Sequence, residues 1–352
     1  MLHSHGQPAC RYRRRAGLSN IGGEVPLQEG RSVVRKEKLH NPTVFFILFI
    51  AAIVVVGIIA NLLTDNTFLD IKNLKVIVSA SIYPSFIAWG LCFLFAAGYY
   101  DLSIGSIIVL ASFASCILGN IYGYPGVIVG GMLVGTFLVF FNSLVFVITK
   151  VPTWIASLSL TLVYEALAIY LRQNKTSRPY IDAELNISYR ALGQIPWNLI
   201  VLAIGFVIVY VVYNRTNIGL KIRAIGGNRE VSRTLGVNTN RVLLMAGLIC
   251  GLLIGFSSVI QQSYNVRTTV MTSLTSLQMM FKPLAIALLA QTLQKRISII
   301  IVVPFCSILI YSVFNLLTFF HVPSGTLQEV FLCVFIILFG MLGQRGVKEV
   351  VK

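Results

Sequence analysis

The sequence predicts an all-α polytopic membrane protein with about ten transmembrane helices, and three observations carry that prediction. Of the 352 residues, 56% are hydrophobic and only 11% are charged, where soluble domains carry about 25% charged residues. The mean hydropathy is +0.82, and a soluble fold has no interior large enough to hide so much apolar surface. Several apolar stretches exceed the ~18 residues that mark a spanning helix. They run without alternation, which argues against a β-barrel.

Residues 1–42 are polar and basic, with RYRRR at 11–15 and RKEK at 35–38. The basic region is too long for a secretory signal, and no small-residue cleavage site follows the first apolar run. Residues 1–42 are read as a disordered basic cytoplasmic tail, unless translation starts downstream near Val33 or Val34.

Ten candidate spans follow, at 43–63, 76–98, 103–118, 126–148, 153–171, 197–213, 242–262, 273–293, 297–317 and 326–343. The third and sixth are short, as tilted, broken or re-entrant helices are. The eighth contains Lys282-Pro283, and an ammonium at membrane depth is costly unless it faces a cavity or reaches the interface. Orientation follows from the basic residues. With the N-terminus inside, twenty of the 28 Lys and Arg fall in cytoplasmic segments and seven in external loops, Lys282 being the remaining one. Ten spans with both termini cytoplasmic satisfy this bias. It also accounts for the net charge of +16, because the basic residues form no module that would bind nucleic acid.

Close helix packing is expected where small residues stand four apart, at Gly126/Gly130, Gly131/Gly135 and Gly247/Gly251/Gly255. GGMLVG and GLLIG are faintly alike, and ten spans divide naturally into two inverted five-helix halves. Cys92, Cys116, Cys250, Cys306 and Cys333 lie inside apolar runs, and Cys10 in the tail. They read as small apolar residues, since no Cys or His spacing suits a metal. No metal or other cofactor is expected.

The most polar internal stretch is 223-RAIGGNREVSRTLGVNTNR-241. Gly226-Gly227 permits a sharp turn. Asn228 is a favourable N-cap, and Glu230 lies in the first turn, where the helix dipole favours an acid. Residues 229–235 then make about two turns, and Gly236 supplies the stop. Arg229 and Arg233 share one face of this short helix, and Val231 and Leu235 another. An ordinary basic loop would not need a cap at both ends. A short capped helix at the cytoplasmic surface suits docking into a groove on a soluble partner.

Polar residues inside the apolar runs mark a candidate path. Asp101 and Ser103 either cap the next helix or face a transport site. Glu165 is expected to face inward near a cavity or to pair with Lys282. Asn142, Trp154, Tyr164, Gln261 and Gln262 offer amides and aromatic faces that suit a polyol or ring, with packing and helix–helix hydrogen bonding as the plainer role of each. Glu329 reads as interfacial.

The segment NIGLKIRAIGGNREVSRTLGVNTNRV resembles the cytoplasmic loop of the ribose/galactoside-type sugar ABC transporter permeases, G-x-x-x-x-A-x-G-G-N-x-x-A-A-x-x-x-G-I-x-V. The segment 98-GYYDLSIGSIIVLAS-112 resembles their G-x-D-L-S-V-G-S. The resemblance covers roughly residues 70–345. It implies that 43–345 is a permease domain in a bacterial cytoplasmic membrane, with a coupling loop at 214–241 and a cytoplasmic tail at 346–352. It implies that Gly226, Gly227, Asn228, Arg229, Glu230, Val231, Arg233, Leu235 and Gly236 carry the coupling helix. The implied partners are an ATP-hydrolysing subunit, an extracytoplasmic substrate-binding protein, a second permease copy and the lipid bilayer.

No Walker A pattern occurs in the chain, so ATP hydrolysis is expected on a separate subunit. The chain departs from the family pattern in two places. ALLAQTLQKRISI stands where a glycine-rich loop is usual, and Glu165 where arginine or glycine is usual. These departures leave open the solute and whether the second permease is identical. The competing reading is an ion-driven secondary transporter with Asp101 and Glu165 as proton or sodium sites. An enzyme is not expected, because no nucleophile/base or paired-carboxylate constellation is present.

Overall fold

A computed structural model describes residues 50–51, 54–55, 57–62, 64, 67–173, 183–227, 229–234, 236–294, 297–323 and 325–348. All of them belong to one compact unit, 41–352. The basic tail, most of the first expected span and residues 349–352 lie outside the described residues.

The apolar runs form helices almost where their lengths predict. They are α1 (Ile71–Ala96), α2 (Ile104–Tyr122), α3 (Tyr124–Thr149), α4 (Thr153–Gln173) and α5 (Trp197–Arg215). Two short helices follow, α6 (Asn217–Gly227) and α7 (Arg229–Thr234). Then come α8 (Thr239–Asn265), α9 (Gln278–Leu293), α10 (Ile299–Phe319) and α11 (Thr326–Lys348). A two-stranded antiparallel ribbon joins β1 (Ala183–Glu184) to β2 (Arg267–Thr268), with Glu184 opposite Arg267. Among the described residues seven helices are long and apolar enough to cross a membrane: α1, α2, α3, α4, α5, α8 and α10. They match the expected second to seventh and ninth spans. α9 has only 16 residues, and the apolar part of α11 is Leu327–Met341.

Burial ranks the helices. Of the most apolar stretch of α1, 78% is buried inside the protein, against 17% for α5. α1 is therefore the central post, and α5 leaves most of its surface uncovered by the rest of the chain. Trp89 of α1 is fully buried, and its Nε1 donates to the Ile300 carbonyl of α10 at 3.0 Å. The expected small-residue contacts are real. A Cβ on Gly135 of α3 would fall 2.5 Å from Gly255 Cα of α8, and one on Gly126 would fall 2.0 Å from the Leu118 carbonyl of α2. These helices touch backbone to backbone, a separation that no larger residue allows.

The packing pairs have a pattern. α1 packs on α8, α9 and α10, while α8 packs on α1, α2 and α3; α2 packs on α3 and α4, while α9 packs on α10 and α11. Exchanging α1 with α8, α2 with α9, α3 with α10 and α4 with α11 maps the α1–α8 pair onto itself and converts each of the other pairs into another.

Two helices begin inside the bundle. The start of α2 lies against Asn142, seven residues short of the end of α3 at Thr149, or about 10 Å at 1.5 Å per residue. The eighth expected span, 273–293, is not helical from its start. It enters as irregular backbone and a 3-10 turn at Thr275–Leu277 before α9 begins. That turn meets the start of α2, where a Cβ on Gly105 would fall 2.1 Å from the Ser276 carbonyl oxygen. The N-terminal ends of α2 and α9 thus abut.

Candidate functional site

The first polar cluster sits where α2 begins. Asp101 is 2% exposed. Its Oδ1 accepts from the Ser103 amide at 2.9 Å and the Ser103 hydroxyl at 2.6 Å, and its Oδ2 accepts from Asn142 Nδ2 at 2.9 Å. Asn142 also donates to Ser103 Oγ at 2.5 Å, and its Oδ1 accepts from the Tyr164 hydroxyl at 2.5 Å. The sequence therefore named four residues that the fold joins into one knot. The carboxylate orders the turn entering α2 and lies at the positive end of that helix's dipole. Every oxygen of the knot has a partner, as buried polar groups require.

Glu165 is the counterpart at the other abutting helix end. It is 4% exposed. Oε2 accepts from the Leu274 amide at 2.9 Å, and Oε1 from the Ser276 amide at 3.1 Å and hydroxyl at 2.6 Å. The side chain is buried in the protein interior, and its carboxylate is paired with this backbone rather than with Lys282, the second of the two expectations. Lys282 instead lies over aromatic rings, 4.5 Å from the Phe314 centroid and 5.6 Å from that of Tyr311. The reason is that the backbone of 274–276 offers unpaired N–H groups that a carboxylate can satisfy at once.

The remaining path candidates separate. Gln262 is used in packing: its Nε2 donates to the Val266 carbonyl at 2.9 Å, and its Oε1 accepts from Thr268, tying α8 to the ribbon. Gln261, one residue earlier, lines a cavity of about 270 Å³. Tyr83, Lys282, Tyr311, Gln328 and Glu329 line it too. None of these five was a path candidate from sequence. The available signal was the cost of Lys282 inside an apolar run. Trp154 lies at the opposite end of the bundle, 55% exposed, in a groove of about 1050 Å³ that it shares with Lys150, Arg233, Gly236 and Asn240.

That groove borders the end of α7 and the turn into α8. Gly226 lies in the last turn of α6 rather than in a turn of its own. Its lack of a side chain serves close approach, since a Cβ would fall 2.1 Å from the Ala96 carbonyl oxygen. α7 packs on α6, with Ser232 Oγ donating to the Ala224 carbonyl at 2.9 Å. Gly236 ends the helix as expected, with φ +81°, and its amide reaches the Arg233 carbonyl at 3.0 Å. Asn228 and Leu235 lie outside the described residues, as do the side chains of Arg229 and Glu230. Val231 and Arg233 are exposed, and with Arg215, Lys221, Arg223 and Arg241 they give this end a basic face.

No group of three or more His, Cys, Asp or Glu among the described residues could hold a metal ion. Helices that stop inside an apolar bundle, with their ends satisfied by protein, are a construction of transporters, and a membrane permease is the class this fold defines. The family model described as branched-chain amino acid transport system / permease component matches residues 73–340, and the chain belongs to that family. Among curated relatives, the ribose import permease protein RbsC of Bacillus subtilis (strain 168) is 27% identical over 226 residues, 62% of this chain and 67% of the relative. The L-arabinose transport system permease protein AraH of Escherichia coli (strain K12) is 28% identical over 237 residues, 66% of this chain and 68% of the relative. The galactose/methyl galactoside import permease protein MglC of Haemophilus influenzae is 27% identical over 245 residues, 63% of this chain and 70% of the relative. No solved structure matches the chain. The resemblance read from the two motifs thus holds.

Proposed function

We propose that this chain is the permease subunit of an ABC importer, the membrane conduit for a monosaccharide. The observation that carries the reading is the family match over 73–340 together with relatives that are ribose, arabinose and galactoside permeases. The energy comes from a separate ATPase subunit, which docks on the basic face of α6 and α7. The exposed Val231 and Arg233 and the adjoining groove support that docking. An extracytoplasmic substrate-binding protein delivers the solute at the ribbon end, and a second permease completes the pathway.

The protein crosses a bacterial cytoplasmic membrane ten times, with both termini cytoplasmic. The packing pairs that interchange when α1–α4 are swapped for α8–α11 support two inverted halves of five. In such halves α2 and α9 occupy equivalent third positions, which accounts for their abutting ends.

The test is a mild-detergent pull-down of the tagged protein from its native membranes, with mass spectrometry of its companions. An ATPase subunit is expected, and its loss in the Arg229→Glu/Arg233→Glu variant with membrane insertion intact. A well-folded protein that reproducibly comes out alone would remove the importer reading. An ATPase retained by the variant would remove the docking face.

A further inference from the structure

The cavity at the ribbon end holds chemistry that packing leaves unused. It lies between α1, α8, α9, α10 and α11. Gln261 is 7% exposed. Its Nε2 points at the weak acceptor Met279 Sδ at 3.7 Å, and its Oε1 has no partner. A buried amide oxygen without a protein donor is costly to leave unmet, and this one can accept from a group bound in the cavity. Across the cavity Lys282 rests on the Phe314 and Tyr311 rings. Among the described residues it makes no ion pair or hydrogen bond, so its N–H groups are free to donate. The Tyr83 and Tyr311 hydroxyls share a single hydrogen bond of 3.1 Å, which leaves one O–H to give. Glu329 places a carboxylate in the same lining.

We propose that this cavity is a solute-binding site inside the permease, with Lys282 and Gln261 as its specificity-determining residues. The proposal rests on the importer reading and deepens it. A sugar hydroxyl both donates and accepts, so neighbouring hydroxyls can give to Gln261 Oε1 and take from Lys282 while the ring lies on an aromatic face. The volume of about 270 Å³ falls just under the ~300–1,000 Å³ of drug-sized sites, which suits one sugar ring and not two. One ammonium and one carboxylate leave the lining without net charge, so a neutral polyhydroxylated solute fits better than an ion.

The experiment uses the intact complex in proteoliposomes, with uptake of D-ribose, L-arabinose and D-galactose measured in turn. Two variants keep side-chain bulk and remove the polar atoms: Lys282→Met and Gln261→Met. At least a tenfold loss of uptake is expected for the sugar that the wild type carries, with the ATPase subunit still bound. Gln261→Met removes an unpartnered oxygen, so its thermal stability should hold or rise while uptake falls. A residue used only for packing would not give that split, and this variant decides the matter if Lys282→Met fails to accumulate. Unchanged uptake and unchanged sugar preference in Gln261→Met would overturn the cavity proposal alone. A wild-type complex that carries none of the three sugars would overturn the monosaccharide reading, and the proposal with it.

Discussion

Glu165→Gln isolates one oxygen of one buried carboxylate. The wild-type group accepts three hydrogen bonds from Leu274 and Ser276. It also holds backbone that resists its conformation, since Ser273 and Leu274 have φ of +58° and +66°, a region that branched or bulky side chains avoid. In the variant, the amide oxygen can keep both bonds to Ser276. The amide nitrogen then faces the Leu274 N–H, donor against donor. A lost bond to a charged group is worth about 1.5–3 kcal/mol, and an unsatisfied buried N–H adds about 1–3, so the local cost is about 2.5–6 kcal/mol. Hydrogen exchange reads that cost directly. If the 273–277 segment opens locally, its amides should exchange about 60- to 20,000-fold faster, since about 1.4 kcal/mol is a factor of ten. Peptides from the α3–α8 contact should not change. A folded variant in which Leu274 and Ser276 exchange at the wild-type rate would refute the view that Glu165 holds the start of α9.

Asn142→Leu removes a donor from Asp101 and the acceptor of Tyr164, and thermal unfolding in detergent should show a loss of about 3–5 kcal/mol, against about 1–2 for Tyr164→Phe. Equal losses would dissolve the knot as a unit. Gly255→Val should prevent folding, because its Cβ would sit 2.9 Å from Met132 Cα and its carbonyl oxygen; Gly340→Ala, whose Cβ meets nothing within 4 Å, should be tolerated, and expression with gel filtration separates the two. Asp101→Asn should lower the yield of folded protein and the uptake in parallel, and normal yield with lost uptake would restore Asp101 to the transport path.

Seven of the expected spans were legible because a membrane helix satisfies its own backbone, so a continuous apolar run suffices to specify it. Gly236 was legible for a related reason, since a positive φ at a helix end is local chemistry. What stayed hidden was set by distant partners. Residues 273–277 are irregular because Glu165, about 109 positions earlier in the chain, accepts their N–H groups, and no local pattern carries that fact. Gly226 read as a turn because its real constraint, the Ala96 carbonyl, lies on another helix. Gln261 and Gln262 were indistinguishable as letters. They stand about 100° apart on α8, which turns one to the ribbon and the other to the cavity.

The same geometry bears on how transport is driven. An ion-coupled mechanism needs a carboxylate that exchanges its proton or cation as the protein cycles. Both oxygens of Asp101 and both of Glu165 already accept from donors that belong to helix starts or to the residues supporting them. Protonating either group would turn an acceptor toward a donor at the one place where two helix ends abut. Each turnover would then loosen the joint between α2 and α9. A mechanism driven from outside the bundle, through α6 and α7, leaves that joint intact and lets the helices move as solid pieces around it. The two buried acids therefore suit fixed points of the joint between α2 and α9, and that geometry favours energy entering elsewhere.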